Sequence, residues 1–281
     1  QLAVNITGQN TEWMETFAIP LPLRVMSKLI GLPEEDYEKL KAWSDAGVAI
    51  IDGTATGESL MQLATLVLSF QAYLSDALTN PASAHEASLL VKLRQMIEAS
   101  SMDHDEAVSI LLQLVVAGSE STSSLIGAMA HRLALDPQLQ RTLRENPGER
   151  AAFIEEVLRL DSPFKGHFRV LTEAAEIGGV TMDAGTRLML HWGMANQDPA
   201  MFDSPGALAK DRPSLRKHVA FGHGIHRCIG SGLAQMEAHE ALRVLLDILP
   251  EFKIKKSTEP REKKSVFTKR LEDLHLEFQS A

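Results

Sequence analysis

The sequence predicts a mainly α-helical protein with a minor antiparallel β region, and three observations lead there. Between about residue 11 and residue 160, apolar residues recur at helical spacing in successive runs, each closed by glycine, asparagine or proline. From His167 to His191 the period shortens to alternation around Gly178-Gly179 and Asp183-Ala184-Gly185 turns, and alternation returns at Leu274-His275-Leu276-Glu277-Phe278. With 281 residues, 44% hydrophobic and 23% charged, the composition is that of an ordinary globular chain. We read residues 1–281 as a single domain, helical over about 11–160, with the small β region at about 167–192 and 253–278.

The elements follow in order. Phe17-Ala-Ile-Pro-Leu-Pro-Leu23 leads into a helical pattern from Val25 to Ile30 that stops at Gly31, and Pro33-Glu-Glu-Asp-Tyr37 opens the next helix. Leu60, Leu63, Leu66, Val67, Phe70, Tyr73 and Leu74 mark a helix from Glu58 to Leu78, ended by Asn80-Pro81, and a short one runs from Ser88 to Ile97. These stripes read as packing faces. Asp103 has the form of an N-cap, and the helix it opens meets no breaker before Asp136-Pro137, about 33 residues or roughly 50 Å.

Near the middle of that long helix, Ala117-Gly-Ser-Glu-Ser-Thr122 places glycine, an acid and hydroxyls between apolar runs. A helix built only for packing has little use for them, since glycine costs about 1 kcal/mol against alanine; a solvated polar stripe is the plainer reading. Further on, Glu156 and Arg159 share one helical face, a spacing that on a surface gives a weak ion pair. Past Pro250 a charged loop spans Lys253 to Lys264 before the closing strand.

The only cysteine, Cys228, lies in Phe221-Gly-His-Gly-Ile-His-Arg-Cys-Ile-Gly230, just before an amphipathic run from Ile229 to Leu249. A helix start stabilises an anion, so the sulfur is expected as a thiolate. Two other readings stand beside a single-ligand role: a buried structural cysteine, and a zinc site from His223, His226 and Cys228, which lacks a fourth ligand at a standard spacing.

A formal charge of −9 argues against a nucleic-acid binder. One cysteine excludes an intrachain disulfide and suits a reducing, cytoplasmic compartment. No uninterrupted apolar run of about 18 residues occurs, so no membrane span is expected. The stretch Gln1 to Gln9 has no basic start and does not read as a signal peptide; without an initiator methionine, the chain is expected to begin inside a longer one.

The pattern F-G-x-G-x-H-x-C-x-G resembles the haem-binding loop of the cytochrome P-450 family. Ala117 to Thr122 is similar to that family's oxygen-binding groove, and Glu156 with Arg159 matches its E-x-x-R motif, all in the family's order over nearly the whole chain. The resemblance implies a P-450 fold that is incomplete at its N-terminus, with haem b as cofactor. It makes Cys228 the iron ligand, with Phe221 beside the sulfur, Gly222 and Gly230 shaping the loop, and His226 and Arg169 on the haem propionates. Ala117 and Gly118 would let the helix approach the iron. Ser121 would bond back toward the Ala117 carbonyl, and Glu120 would relay protons beside Ser121 and Thr122. Serine stands where threonine is usual, and glutamate where bacterial members more often carry aspartate.

Arg212 is implied as a third member of the Glu156–Arg159 network, with Leu208-Ala209 replacing the family's Phe-Asp. Phe164, Lys165 and His167 fall where the family lines its substrate pocket; alternation puts Lys165 and His167 on one face, and facing inward they would favour a substrate bearing a carboxylate. The implied reaction is monooxygenation: one atom of O2 enters a small apolar organic substrate, with electrons from a separate ferredoxin-type or flavodoxin-type donor. Arg212, Arg216, Lys217 and Arg227 suggest an acidic face on that donor. A haem-binding or scaffold protein without turnover is the reading from another class, and a peroxide-driven haem enzyme, disfavoured by Glu120 and Ser121, is a third.

Overall fold

Proline, glycine and capping residues set the helix boundaries. The computed structural model describes residues 2, 6, 10–53, 55–80 and 85–279. Most of the Gln1–Gln9 stretch lies outside the described residues, as does Pro81, the expected stop of the third helix. After a π-helical turn at Met14–Ala18, helix α1 (Pro20–Ile30) carries Pro20 and Pro22 in its first turn, where no N–H is needed, and ends at Gly31 with φ 97°. Helix α2 (Tyr37–Ile51) follows a 3₁₀ turn, and α3 (Gly57–Thr79) starts at a reciprocal cap between Thr56 and Ser59. The Ser88 hydroxyl caps α4 (Leu89–Glu98).

Asp103 accepts from the Glu106 N–H at 3.0 Å and opens α5 (His104–Leu135), whose 32 residues run unbroken through Gly118. Helices α6 (Pro137–Glu145), α7 (Arg150–Leu160), the short α8 (Trp192–Ala195) and α9 (Ser231–Arg243) complete the set. The amphipathic run to Leu249 changes pitch, because a π-helical turn at Val244–Ile248 continues α9.

Two buried clusters share α5. Its first half, with Ala107, Leu111 and Val115, packs on Leu23 and Ile30 of α1, Leu40 of α2 and Phe70 and Leu74 of α3. Ile126, Met129 and Leu133 in its second half meet Trp13, Phe153, Leu242 and Leu276. By length and composition α5 would cross a membrane, yet its sides are the packing surface of both clusters. Anything carried on its remaining face is therefore held rigidly.

The strands are short and antiparallel. Strand β1 (Asn10–Glu12) was not expected from its polar sequence; β2 (His167–Val170), β3 (Ala175–Ile177), β4 (Val180–Met182) and β5 (Arg187–Leu190) occupy the expected β region. Instead of one small sheet they form two ribbons, β2 with β5 enclosing β3 with β4. Strands β6 (Phe252–Ile254), β7 (Arg261–Glu262), β8 (Leu271–Asp273) and β9 (His275–Phe278) follow, and β9 lies between β1 and β6. Leu276 and Phe278 of β9 point into the core, as the alternation predicts.

One buried carboxyl group on α9 has no counter-charge among the described residues. Glu237 is 5% exposed, its Oε2 has no hydrogen-bond partner among the described residues, and burial pushes its pKa up to about 7. The unfolded chain releases this proton near 4.5 while the folded chain keeps it, so folding loses stability as pH rises from about 4.5 to about 7. Glu237→Gln removes that loss: relative to the parent, its urea stability should rise by roughly 3 kcal/mol between pH 4.5 and pH 8. A gain independent of pH would contradict the assignment.

Candidate active site

Cys228 is set by a short network of backbone and side-chain bonds. Its N–H donates to the Phe221 carbonyl at 2.9 Å, and the loop between them turns through Gly222 and Gly224 at φ 69° and 73°, the left-handed region open to glycine. Asn196 Oδ1 accepts from Val219 N–H at 2.6 Å while its Nδ2 donates to Ser162 Oγ at 2.7 Å. His218 Nε2 lies 2.6 Å from Glu155 Oε2, and Gln235 of α9 donates to Oε1 of the same carboxylate at 2.7 Å. The loop is thereby tied to α7, α8 and α9, and it presents the Cys228 thiol at the surface between Ile225, 97% exposed, and Ile229, 93% exposed.

Helix α5 presents a second open face. Gln113 and Ala117 are exposed and Ser121 is half-buried, one turn apart, and the Ser121 hydroxyl donates to the Ala117 carbonyl at 2.9 Å. Glu120, one residue away, points elsewhere. It is 4% exposed, and its carboxylate pairs with Arg270 and lies 3.7 Å from Lys263. Burial raises its pKa more than Arg270 and Lys263 lower it. Its Oε1 accepts no hydrogen bond among the described residues, and the carboxylate borders a cavity of ≈ 10 Å³, about one water in size, lined also by Lys41, Ser44, Asp45, Ser119, Ser123 and Arg270.

Behind the loop, Arg159 and Glu156 form a buried centre. Arg159 donates from Nε and Nη2 to the two oxygens of Glu156 at 2.6 and 2.9 Å; Arg212 Nε and the Ala209 N–H reach the same carboxylate at 3.2 and 2.9 Å. Burial alone would raise the Glu156 pKa, but these donors hold it below the ordinary glutamate value.

A family model described as Cytochrome P450 matches residues 151–275. Cytochrome P450 144 of Mycobacterium tuberculosis is 36% identical over 236 residues, 84% of this chain and 54% of that protein. The Biotin biosynthesis cytochrome P450 of Bacillus subtilis is 34% identical over 243 residues, 86% and 61% of the two chains. The crystal structure of P450BioI in complex with hexadec-9Z-enoic acid ligated acyl carrier protein superposes with a TM-score of 0.91 at 31% identity, covering 99% of this chain and 72% of that one. The chain belongs to the cytochrome P450 family. It spans between about half and three fifths of the length of these two curated relatives.

Membership implies haem, and the residues of this cytochrome P450 fit it. A lone exposed thiol leaves the other coordination positions to a ligand that brings its own donors, as a macrocycle does, and Ile225 and Ile229 offer apolar contact beside it. The zinc reading is corrected: among the described residues no three His, Cys, Asp or Glu side chains converge on a metal site, so His223 and His226 do not join Cys228. Exposure of Cys228 likewise removes the buried structural cysteine. His226, at the end of a 3₁₀ turn, and Arg169, on β2, are both exposed. Gly230 is the N-cap of α9, 3.9 Å from the Cys228 sulfur at the position a Cβ would take.

Several expectations change. Gly118 does not face the open side of α5: a Cβ there would sit 2.9 Å from Met26 Sδ, so this glycine admits α1. Thr122, one turn on and 3% exposed, is buried on that same side, away from Ser121. Arg212 is 8% exposed and belongs to the Glu156 centre, which leaves Arg216, Lys217 and Arg227 as the surface cations. Strand alternation does not tie Lys165 to His167, because β2 begins only at His167. Half-buried Lys165 donates to the Ser265 carbonyl at 2.8 Å, whereas exposed His167 accepts from Trp192 Nε1 at 2.7 Å and lies 5.3 Å from the Phe164 ring. Sequence reading missed Arg270, Lys263, Asn196 and His218; no spacing rule links residues this far apart.

Proposed function

We propose that the complete protein is a haem-thiolate monooxygenase that inserts one oxygen atom from O2 into an apolar organic substrate, in the cytoplasm, with electrons from a ferredoxin-type or flavodoxin-type donor. The observation that carries this reading is a single exposed thiol on a glycine-turned loop in a fold whose long central helix opens a small-residue face at Ala117 and Ser121. Haem b, when bound, would supply the redox centre for oxygen chemistry. Cys228 would hold it through its sulfur, Ile225 and Ile229 would give apolar contact, and His226 and Arg169 would offer donors for its carboxylates. Arg216, Lys217 and Arg227 are exposed cations near the cysteine loop in sequence, suited to an acidic donor protein, so electron transfer should slow as salt rises.

Protons are the task of α5. Ser121 Oγ holds its hydrogen on the Ala117 carbonyl and can turn it to the open face, and burial raises the pKa of neighbouring Glu120 above the ordinary glutamate value, the direction that favours proton exchange. In Ser121→Ala and Glu120→Gln we expect a several-fold rise in peroxide released per reductant consumed, with product falling by roughly 10²-fold in the glutamate variant. Unchanged coupling in both variants would remove this face from the reaction.

A further inference from the structure

The loop between β7 and β8 borders a cavity of ≈ 420 Å³ lined by Lys165, Glu262, Lys263, Lys264, Ser265 and Val266. Three lysines and one glutamate make up its charged lining. The Lys165 bond to the Ser265 carbonyl uses one of its three N–H groups on a neutral partner and leaves the charge uncancelled. Lys263 makes a long ion pair with Glu120 at 3.7 Å, and Lys264 has no ion-pair partner among the described residues.

Lys165 and the turn at Ser265 are held on a fixed frame. Lys165 N–H donates to the Phe267 carbonyl at 2.6 Å, and the Lys165 carbonyl accepts from Gly193 N–H at 3.1 Å. Ser265 Oγ accepts from the Phe267 and Thr268 N–H groups at 3.0 and 2.7 Å and donates to the buried carboxylate of Asp52 at the end of α2. The Lys165 ammonium, bonded to the Ser265 carbonyl on this frame, loses little freedom on meeting an anion.

We infer that this cavity binds the anionic head of an organic acid, a carboxylate or a phosphate monoester on an apolar body, with Lys165, Lys263 and Lys264 as its cations. Calling that ligand the substrate rests on the monooxygenase reading; the binding does not. Lys263 is shared between the cavity and Glu120, so an anion that draws its ammonium away leaves Glu120 to Arg270 alone. Occupancy of the cavity is thereby linked to the carboxylate next to Ser121.

Calorimetric titration of the full chain with decanoic acid, its methyl ester and decyl phosphate tests the site without turnover. The acid or the phosphate should bind on the order of tenfold more tightly than the ester. Whichever anion binds more tightly identifies the head group. Lys165→Met and Lys264→Met keep the apolar stems and should each shrink that preference, while Lys256→Met, outside the cavity lining, should leave it intact. Equal affinity for acid and ester in the unmutated protein overturns the inference, as does a preference that survives in the Lys165→Met, Lys264→Met double variant. A preserved preference in a protein that fails to show thiolate-ligated haem would uphold the site and reject the monooxygenase reading; the reverse pattern would do the opposite.

Discussion

Arg159→Leu is expected to destabilise the fold by roughly 3–5 kcal/mol, a large share of the stability of an ordinary domain. All five N–H donors of Arg159 are used: two on Glu156, and three on the carbonyls of Asn196, Pro205 and Ala207. The guanidinium also lies 5.1 Å from the Phe202 ring centre, and neither Arg159 nor Glu156 retains any exposure. Leucine fills much of the volume but leaves the buried carboxylate to Arg212 and the Ala209 N–H, and strips a donor from the carbonyl of fully buried Asn196. Arg94→Ala, which breaks an exposed pair with Glu98, should cost under about 0.5 kcal/mol in the same urea titration. Acid acts on the same centre without a mutation. Since the folded pKa of Glu156 is depressed, its contribution is present above the ordinary value of 4.5 and is lost as pH falls through the folded value. An Arg159→Leu midpoint matching that of Arg94→Ala would show that the centre is not structural.

What the sequence disclosed about this centre and the groove is what lies within one turn of one helix. Glu156 with Arg159, and Ala117 with Ser121, are three and four residues apart, and helical geometry alone makes them neighbours. The same geometry speaks against Gly118 as part of the open face, because it stands a hundred degrees around the axis from Ala117; the motif suggested otherwise, and Met26 of α1 occupies that side. Contacts made by chain folding left no periodic trace. Arg270 meets Glu120 across 150 residues and Ser265 meets Asp52 across 213. Strand β1 was hidden for a related reason: three polar residues become a strand only because β9 offers them a partner edge.

Cys228→Ala should abolish haem-thiolate character while leaving the fold in place, since the side chain is exposed and packs little of the core. No second donor stands ready to replace it: among the described residues neither His223 nor His226 joins the cysteine in a metal site. The loop should keep its course in the variant, because the bond from the residue 228 N–H to the Phe221 carbonyl and the anchors at Asn196 and His218 do not involve the sulfur. The direct measurement is the absorption spectrum of the reduced carbon monoxide complex of the haem-loaded protein and of Cys228→Ala. The parent should show the red-shifted band of a thiolate-ligated haem and the variant should lose it completely; a parent without that band, or a variant that retains it, would overturn Cys228 as the iron ligand.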